Sequence, residues 1–410
     1  MKQNLLIIGS VWPEPNSSAA GTRMLQLIRL FLADHWQITF VSATLDSPHR
    51  FPLETIGVSI EAIVLNDSSF DTYIKELNPS MVLFDRFMTE EQFGWRVREH
   101  CPKALRILDT EDLHCLRKGR HKALKENREF EYDDLQSDIA LREIASIYRS
   151  DVSIMISTFE MELLEDYFKV PSHLLCFVPF LLETITEAQI TEGPAFEERN
   201  HFCTIGSFRH EPNWDSVRFL KEEIWPLLRK KLPGVEMHIY GSYPSQKVMQ
   251  LHNEKEGFLI KGWADNAIEV LQKSRVCLAP LRFGAGLKGK FIDAMTAGTP
   301  SVTTTIGAEG MHNKLPWGGS VVNTVSEIVS SAVALYTNKE QWLAGQQRGF
   351  AIRKSFEKEK FEKDLLSKLY TVQSDIVVHR KSNFIGSMLA HHSMKSTEYM
   401  SRWIEEKNRT

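Results

Sequence analysis

The chain has 410 residues, of which 42% are hydrophobic, 25% charged and 10% aromatic, and its net charge is −4. This is the composition of a globular protein with enough chain for two domains, each with its own core. Since 49 basic residues are balanced by 53 acidic ones, the charge gives no signal for nucleic acid as the main partner.

Cysteine spacing and the lengths of apolar runs indicate the compartment. The five cysteines show no short paired spacing, which favours reduced thiols over a disulfide framework. The first apolar run is short and is not followed by a cleavage site for a signal peptide. No apolar segment approaches the ~20 residues of a spanning helix. We therefore expect a cytoplasmic enzyme, and peripheral membrane contact stays open.

Apolar runs alternate with helical patterns through the first half of the chain. The run Asn4–Gly9 predicts a buried parallel strand, and a loop then leads into a helix from Thr22 to about Asp34. The alternation predicts a doubly wound α/β domain. Further strands are expected at 37–42, 59–64, 81–84, 104–108, 152–157 and 174–180, and further helices at 70–76 and 159–168.

Polar residues follow the apolar run 104–108. Asp112 and His114 come shortly after it, and ligands of parallel sheets bind outside the carboxyl ends of the strands. Either residue is a candidate general base for a reaction that needs one. The alternative is the charged start of a helix, with Asp109 or Thr110 as its N-cap.

Charge and turn signals divide the chain. The segment 119–148 is highly charged with a sparse apolar stripe, which predicts a solvated helical pair or lid. The turn formers at 192–194 predict a linker, so we expect domains at 1–192 and 193–353, followed by a terminal region at 354–410. In its tail, the pair His391-His392 has no third ligand at a suitable spacing, so we predict no metal site.

A second series of strands begins after the linker. Apolar runs at 202–206, 235–240, 258–263, 276–280 and 301–305 predict strands, with a helix at 267–273 and later helices at 325–336 and 339–347. The first three runs each end at or beside a glycine, as expected for strands that lead into ligand-binding loops. These glycines and their neighbours are Gly206, Ser207, Arg209, Gly241, Gly262 and Trp263.

The stretch 282–300, RFGAGLKGKFIDAMTAGTP, predicts a glycine-rich loop that opens a helix, with Gly298 as a left-handed C-cap. A helix N-terminus carries free N–H groups and a partial positive charge, and Lys288 and Lys290 stand beside it. Asp293 offers a carboxylate that can hold paired hydroxyls such as those of a ribose. Together these features describe a nucleoside diphosphate site. The plain alternative is a loop with glycines for packing and lysines on a solvated face.

With the later Gly307-Ala308-Glu309-Gly310, this stretch resembles the donor-site signature of the GT-B glycosyltransferases of family 4, the group 1 type. In that family two glutamates separated by seven residues precede Ala-Met and a Gly-x-Pro turn. Here the second acidic position is Asp293, whereas the first falls on Ala285. Because the family's first glutamate touches the donor sugar, the resemblance does not identify the sugar. The chain is similar to the branch in which a lysine, here Lys288, meets the phosphates.

The resemblance implies an α/β fold of two Rossmann-like doubly wound domains that face a cleft, with a helix at 354–371 crossing back to the first domain. Lys288 and Arg209 would be catalytic, with His114 or Asp112 on the acceptor side. Two of the assigned residues have a purely structural alternative. Arg209 would then be an ordinary surface arginine, and Trp263 would pack under the helix 267–273. The nucleotide sugar would contact Gly21, Gly206, Ser207, Gly241, Gly262, Trp263, Gly284, Ala285, Gly286, Leu287, Lys290 and Asp293.

The implied activity is hexosyltransferase-like. A sugar would move from a nucleotide-diphosphate donor to a glycan, lipid-linked or small-molecule acceptor, with retention, without a metal and without a further cofactor, in glycan or glycoconjugate biosynthesis. Two alternatives use the same pocket: a sugar-nucleotide epimerase or hydrolase, and a non-catalytic nucleotide-sugar-binding protein that lacks an acid at 285. The sequence leaves the oligomeric state open.

Overall fold

A computed structural model describes residues 3–409. Its first domain is built on a parallel sheet of seven strands in the order β3-β2-β1-β4-β5-β6-β7. Connections reverse between β1 and β4, which creates a crevice at the carboxyl ends of these two strands. The strands are β1 Asn4–Gly9, β2 Gln37–Ser42, β3 Ser59–Ala62, β4 Met81–Asp85, β5 Leu105–Asp109, β6 Val152–Met155 and β7 Leu175–Phe177.

The second domain repeats this plan with a parallel sheet of six strands in the order β10-β9-β8-β11-β12-β13. Its reversal lies between β8 and β11. The strands are β8 Asn200–Ile205, β9 Met237–Tyr240, β10 Phe258–Gly262, β11 Ser274–Ala279, β12 Ser301–Thr303 and β13 Gly319–Val321.

Helices cover both faces of each sheet, which explains why the strands are nearly continuous apolar runs. The helices of the first domain are α1 Ala19–Ala33, α2 Ser69–Leu77, α3 Phe87–His100, α4 His114–Lys125, α5 Asp138–Arg149, α6 Thr158–Asp166 and α7 Glu187–Thr191. Those of the second domain and the terminal region are α8 Glu211–Phe219, α9 Trp225–Lys231, α10 Gln246–Met249, α11 Ala267–Lys273, α12 Gly289–Thr296, α13 Thr305–Ala308, α14 Val325–Thr337, α15 Lys339–Lys354, α16 Lys358–Ser374, α17 Ile376–Ser382 and α18 Phe384–Arg409.

The chain returns to the first domain after α15. Leu365, Leu369 and Val372 of α16 are buried in the same apolar cluster as the residues of β1 and α1. This confirms the predicted doubly wound fold with a helix that crosses back. The terminal region continues as α17 and α18, and α18 packs on α3 and α5.

The expectation of a solvated surface at 119–148 is wrong for its inner face. The segment does form two helices, α4 and α5, yet Arg120 is 8% exposed and Glu143 is 1% exposed. Composition alone indicates a solvated surface here, because Glu309, the partner of Arg120, lies 189 residues away in sequence. His391 and His392 are exposed, and all five cysteines are free and buried. Within residues 3–409, no helix combines the length and the apolarity needed to cross a bilayer.

Candidate functional site

The glycine-rich loop follows β11, at the reversal point of the second sheet. Helix α12 begins at Gly289, and Gly298 after its end has φ 63°, the left-handed conformation that the sequence predicts. Gly286 also has φ 62°, and a Cβ there would lie 2.8 Å from the Cβ of Asp112 in the first domain. The loop therefore needs glycine for its own geometry and for contact between the domains.

Two lysines stand at the start of α12, as predicted. The Nζ of Lys290 donates to Oδ1 of Asn213, 2.8 Å away, and joins the loop to the start of α8. Lys288 is 8% exposed and its Nζ donates to the carbonyl oxygen of Gly286 at 2.8 Å. Burial lowers the pKa of each lysine to about 8. In this conformation Lys288 thus points back into its own loop, where we expected it to face an open cleft.

Asp293 lies on the second turn of α12 and is half-buried. Burial raises the pKa of its carboxyl to about 7. A carboxyl that exchanges its proton near neutral pH can both donate to and accept from paired hydroxyls. Its predicted role toward a ribose stays a prediction.

The first domain contributes an ionic cluster at the carboxyl end of β5. The Asp112 carboxylate lies 3.2 Å from Nη1 of Arg117 and 3.5 Å from Nε2 of His114. Burial alone would raise the pKa of Asp112, but the neighbouring basic groups outweigh it and lower that pKa. They are Arg117, then His114 and His210, which are charged in the acid range where Asp112 titrates, and Arg86. Burial lowers the pKa of His114 to about 4, so its imidazole is neutral at pH 7.

Two strained residues form the rim of the same crevice. Arg86, directly after β4, has φ 70°, and Glu111, shortly after β5, has φ 60°. Non-glycine residues in this region of φ are uncommon and concentrate at functional sites. Beneath them, Asp85 accepts a hydrogen bond from the Ser10 amide at 2.9 Å, and Asp109 pairs with Arg23 at 3.1 Å. Buried ionic contacts therefore hold the carboxyl ends of the central strands in place.

Positive groups from both domains converge on this crevice. His210, in the loop after β8, lies among Asp112, Arg117, Lys290 and Arg86. Burial lowers its pKa to about 4, so the positive groups at pH 7 are Lys290 and the two arginines. Arg86 directly follows β4, and Arg117 lies on the first turn of α4 after β5. The convergence of cations suits an anionic ligand.

The two domains are in close contact around the crevice. A Cβ on Gly289 would lie 2.7 Å from the Cβ of Ala19, just as a Cβ on Gly286 would lie 2.8 Å from that of Asp112. A cavity of ≈ 10 Å³ beside Gly21 and Arg86 is lined by first-domain residues and has room for about one water molecule. The two domains are thus closed on each other at the loops that carry Ala19 and Gly289.

Buried polar contacts hold the domains together. Arg120 donates from Nη1 to the carbonyl oxygen of Gly284 and to Oε1 of Glu309, and from Nη2 to Oε2 of Glu309, each at 2.8 Å. Glu160 accepts a hydrogen bond from the Gly286 amide at 2.7 Å. Because the partners are 126 to 189 residues apart, no local sequence pattern indicates these pairs.

Several predicted residues lie farther out on the rim. The guanidinium of Arg209 lies 3.5 Å above the ring of Tyr243, and Trp263 stacks on His49 with ring centroids 4.6 Å apart. Trp263 therefore contacts the first domain, in place of the packing under α11 that was the alternative. The other predicted contact residues lie in the loops. Gly21 packs against the backbone of Glu14 and Gly241 against that of Gly206, whereas Gly262 has no neighbour where a Cβ would stand. The carbonyl oxygen of Ser207 accepts from the side chain of Asn213, and Ala285 and Leu287 are buried.

One group of possible metal ligands lies away from the crevice. His201, Glu236 and His238 place their ligand atoms within 4.8 Å of one another at the amino ends of β8 and β9. Their spacing in sequence follows no metal motif, so the sequence did not indicate them. The Glu236 amide donates to Nδ1 of His201, which leaves the proton on Nε2, the nitrogen that faces the group. A metal would have to displace that proton.

Two Rossmann-like domains, opposed carboxyl-end loops and a crossing helix define the GT-B class of fold. Residues 199–338 match the sequence profile of the family described as glycosyl transferases group 1. A search of curated protein sequences gave no significant match.

Solved structures share this fold over nearly their full length. Sucrose-phosphate synthase from Thermosynechococcus elongatus is 14% identical, with TM-score 0.65 and coverage of 90% of this chain and 98% of that chain. TarM from S. aureus is 9% identical, with TM-score 0.69 and coverage of 90% and 99%. Anabaena HepE, solved in complex with UDP and glucose, is 10% identical, with TM-score 0.64 and coverage of 90% and 100%.

Proposed function

We propose that the protein is a retaining, metal-independent glycosyltransferase of the group 1 type, close to family 4. It would transfer a hexose from a nucleotide-diphosphate donor to an acceptor hydroxyl of a glycan, a lipid-linked glycan or a small molecule. One observation carries the proposal: the N-terminus of α12, with Lys288 and Lys290, lies at the reversal point of the sheet within the segment that matches the family profile.

The chemistry follows from the charge that develops at the donor. Breaking the bond between sugar and phosphate places negative charge on the leaving diphosphate. Lys290, Arg86 and the helix N-terminus would stabilise this charge, and Lys288 would do so after it turns away from the carbonyl oxygen of Gly286. Fixed protein cations would supply the charge that a metal ion supplies in other transferases. Since the charge is complete only late in the reaction, these groups should raise turnover more than donor affinity.

The state of Asp112 supports retention. Efficient general bases have a pKa near the working pH, whereas the pKa of Asp112 is lowered and its carboxylate is engaged by Arg117 and His114. A front-face reaction needs no enzymic base, because the departing phosphate takes the proton of the acceptor. The anomeric configuration of the product, read by proton NMR coupling, tests this step.

Ligand-induced stabilisation tests the proposed donor class. A ligand that binds only the folded protein raises its melting temperature. We expect one of UDP, GDP or dTDP, and its sugar conjugate, to raise that temperature, and nucleoside monophosphates to have less effect. Release of free sugar at full rate without an acceptor would instead favour a hydrolase, and tight donor binding without turnover would favour a non-catalytic binding protein.

A further inference from the structure

Glu160 lies on α6 in the first domain and is 1% exposed. Its Oε1 accepts two backbone hydrogen bonds, from the Leu113 amide at 3.1 Å and from the Gly286 amide at 2.7 Å. The first donor belongs to the loop that carries Asp112, and the second belongs to the glycine-rich loop of the other domain. A single carboxyl oxygen therefore joins the acceptor-side loop to the donor-side loop.

The peptide groups of Gly286 are held at both ends. The amide of Gly286 donates to Glu160, while its carbonyl oxygen accepts from Nζ of Lys288 at 2.8 Å. With φ 62° and the Asp112 side chain against it, Gly286 has little freedom to turn. As long as Glu160 holds Gly286 in this position, the ammonium group of Lys288 stays hydrogen-bonded to the carbonyl oxygen of Gly286.

We propose that Glu160 is a positioning residue for Lys288. Acting through Gly286, it holds the lysine on the loop carbonyl while the domains are closed, and it releases the lysine toward a diphosphate when they part. The diphosphate as ligand rests on the proposed function. The second carboxyl oxygen, Oε2, is buried and has no hydrogen-bond partner among residues 3–409, so it does not hold the side chain elsewhere.

Pyrophosphate affinity, measured by calorimetry at pH 7, tests this inference. Losing one hydrogen bond of about 1 kcal/mol corresponds to a change in affinity of about fivefold. We therefore expect E160A, and E160D with its shorter side chain, to bind pyrophosphate about fivefold more tightly than the unmodified protein. Burial raises the pKa of Glu160 to about 8, so glutamine is close to its form at pH 7, and E160Q should bind like the unmodified protein. The control is E162A, at an exposed position of the same helix.

A second comparison separates positioning of Lys288 from domain opening. In the K288M background, E160A should change pyrophosphate affinity less than twofold, because no lysine remains to be released. Equal gains in E160A and E160Q would overturn the inference, because glutamine keeps an oxygen that can accept from the Gly286 amide, and so would a gain that persists with K288M. Unchanged affinity in E160A and E160D would also overturn it, without touching the proposed function. Failure of every protein, including the unmodified one, to bind pyrophosphate would overturn both.

Discussion

Replacing Arg120 by alanine should open the two domains. Its guanidinium makes three hydrogen bonds of 2.8 Å to the second domain, two of them to the Glu309 carboxylate. The arginine side chain is 8% exposed and that of Glu309 is 17% exposed. Losing one partner of a fully buried pair costs about 3–5 kcal/mol. Because water reaches Glu309 in part, we expect about 2–3 kcal/mol here.

A loss of this size shifts the ratio of closed to open molecules about 30- to 150-fold. Small-angle X-ray scattering should therefore show a larger radius of gyration for R120A than for the unmodified protein. The matched control is K118A, which removes an exposed contact between the domains, Lys118 to Glu211 at 2.8 Å. Exposed pairs contribute about 0–1 kcal/mol, so K118A should scatter like the unmodified protein. Identical scattering from R120A would refute the reasoning.

Three further predictions concern single side chains. K288A should lower kcat at least about 100-fold in a transfer assay, because it removes the cation that stabilises the leaving diphosphate. Its free energy of unfolding should stay within about 1 kcal/mol of that of the unmodified protein. Near-normal turnover would contradict the assignment. D293A should weaken nucleoside diphosphate binding about tenfold by calorimetry, since hydroxyl contacts are lost; unchanged affinity would remove Asp293 from the ribose site. Burial raises the pKa of Glu143, which accepts from the amides of His114 and Cys115, from 4.5 to about 7. The stability it contributes is complete below pH 4.5 and is lost as pH rises through about 7. The free energy of unfolding in urea should therefore fall between pH 5 and pH 8 by about 2.5 kcal/mol less in E143Q than in the unmodified protein; equal losses would refute this.

Local patterns were sufficient to predict most of the fold. The bounds of β1, β2 and α11 agree with the sequence prediction, because a buried parallel strand is a continuous apolar run and a helix repeats its apolar face. Local sequence also predicted the glycine-rich loop, since Gly298 and the two lysines occupy positions set by helix geometry.

Contacts between distant segments could not be read in this way. The charge run that contains Arg120 has the composition of a solvated surface, and only the folded chain shows that Glu309, 189 residues later, neutralises it. Glu160 sits on an amphipathic helix where nothing in the local sequence marks a polar residue as buried. Spacing along the chain likewise does not encode the hydrogen bond by which Glu160 of the first domain accepts from the Gly286 amide, 126 residues later.

The central claim is that the amino end of α12 binds the diphosphate of a sugar nucleotide. A crystal structure of the protein with the nucleoside diphosphate that most raises its melting temperature tests this directly. We predict parted domains, with phosphate oxygens ~3 Å from Nζ of Lys288 and from the first amides of α12. A nucleotide bound elsewhere, with Lys288 still on the carbonyl oxygen of Gly286, would contradict the account.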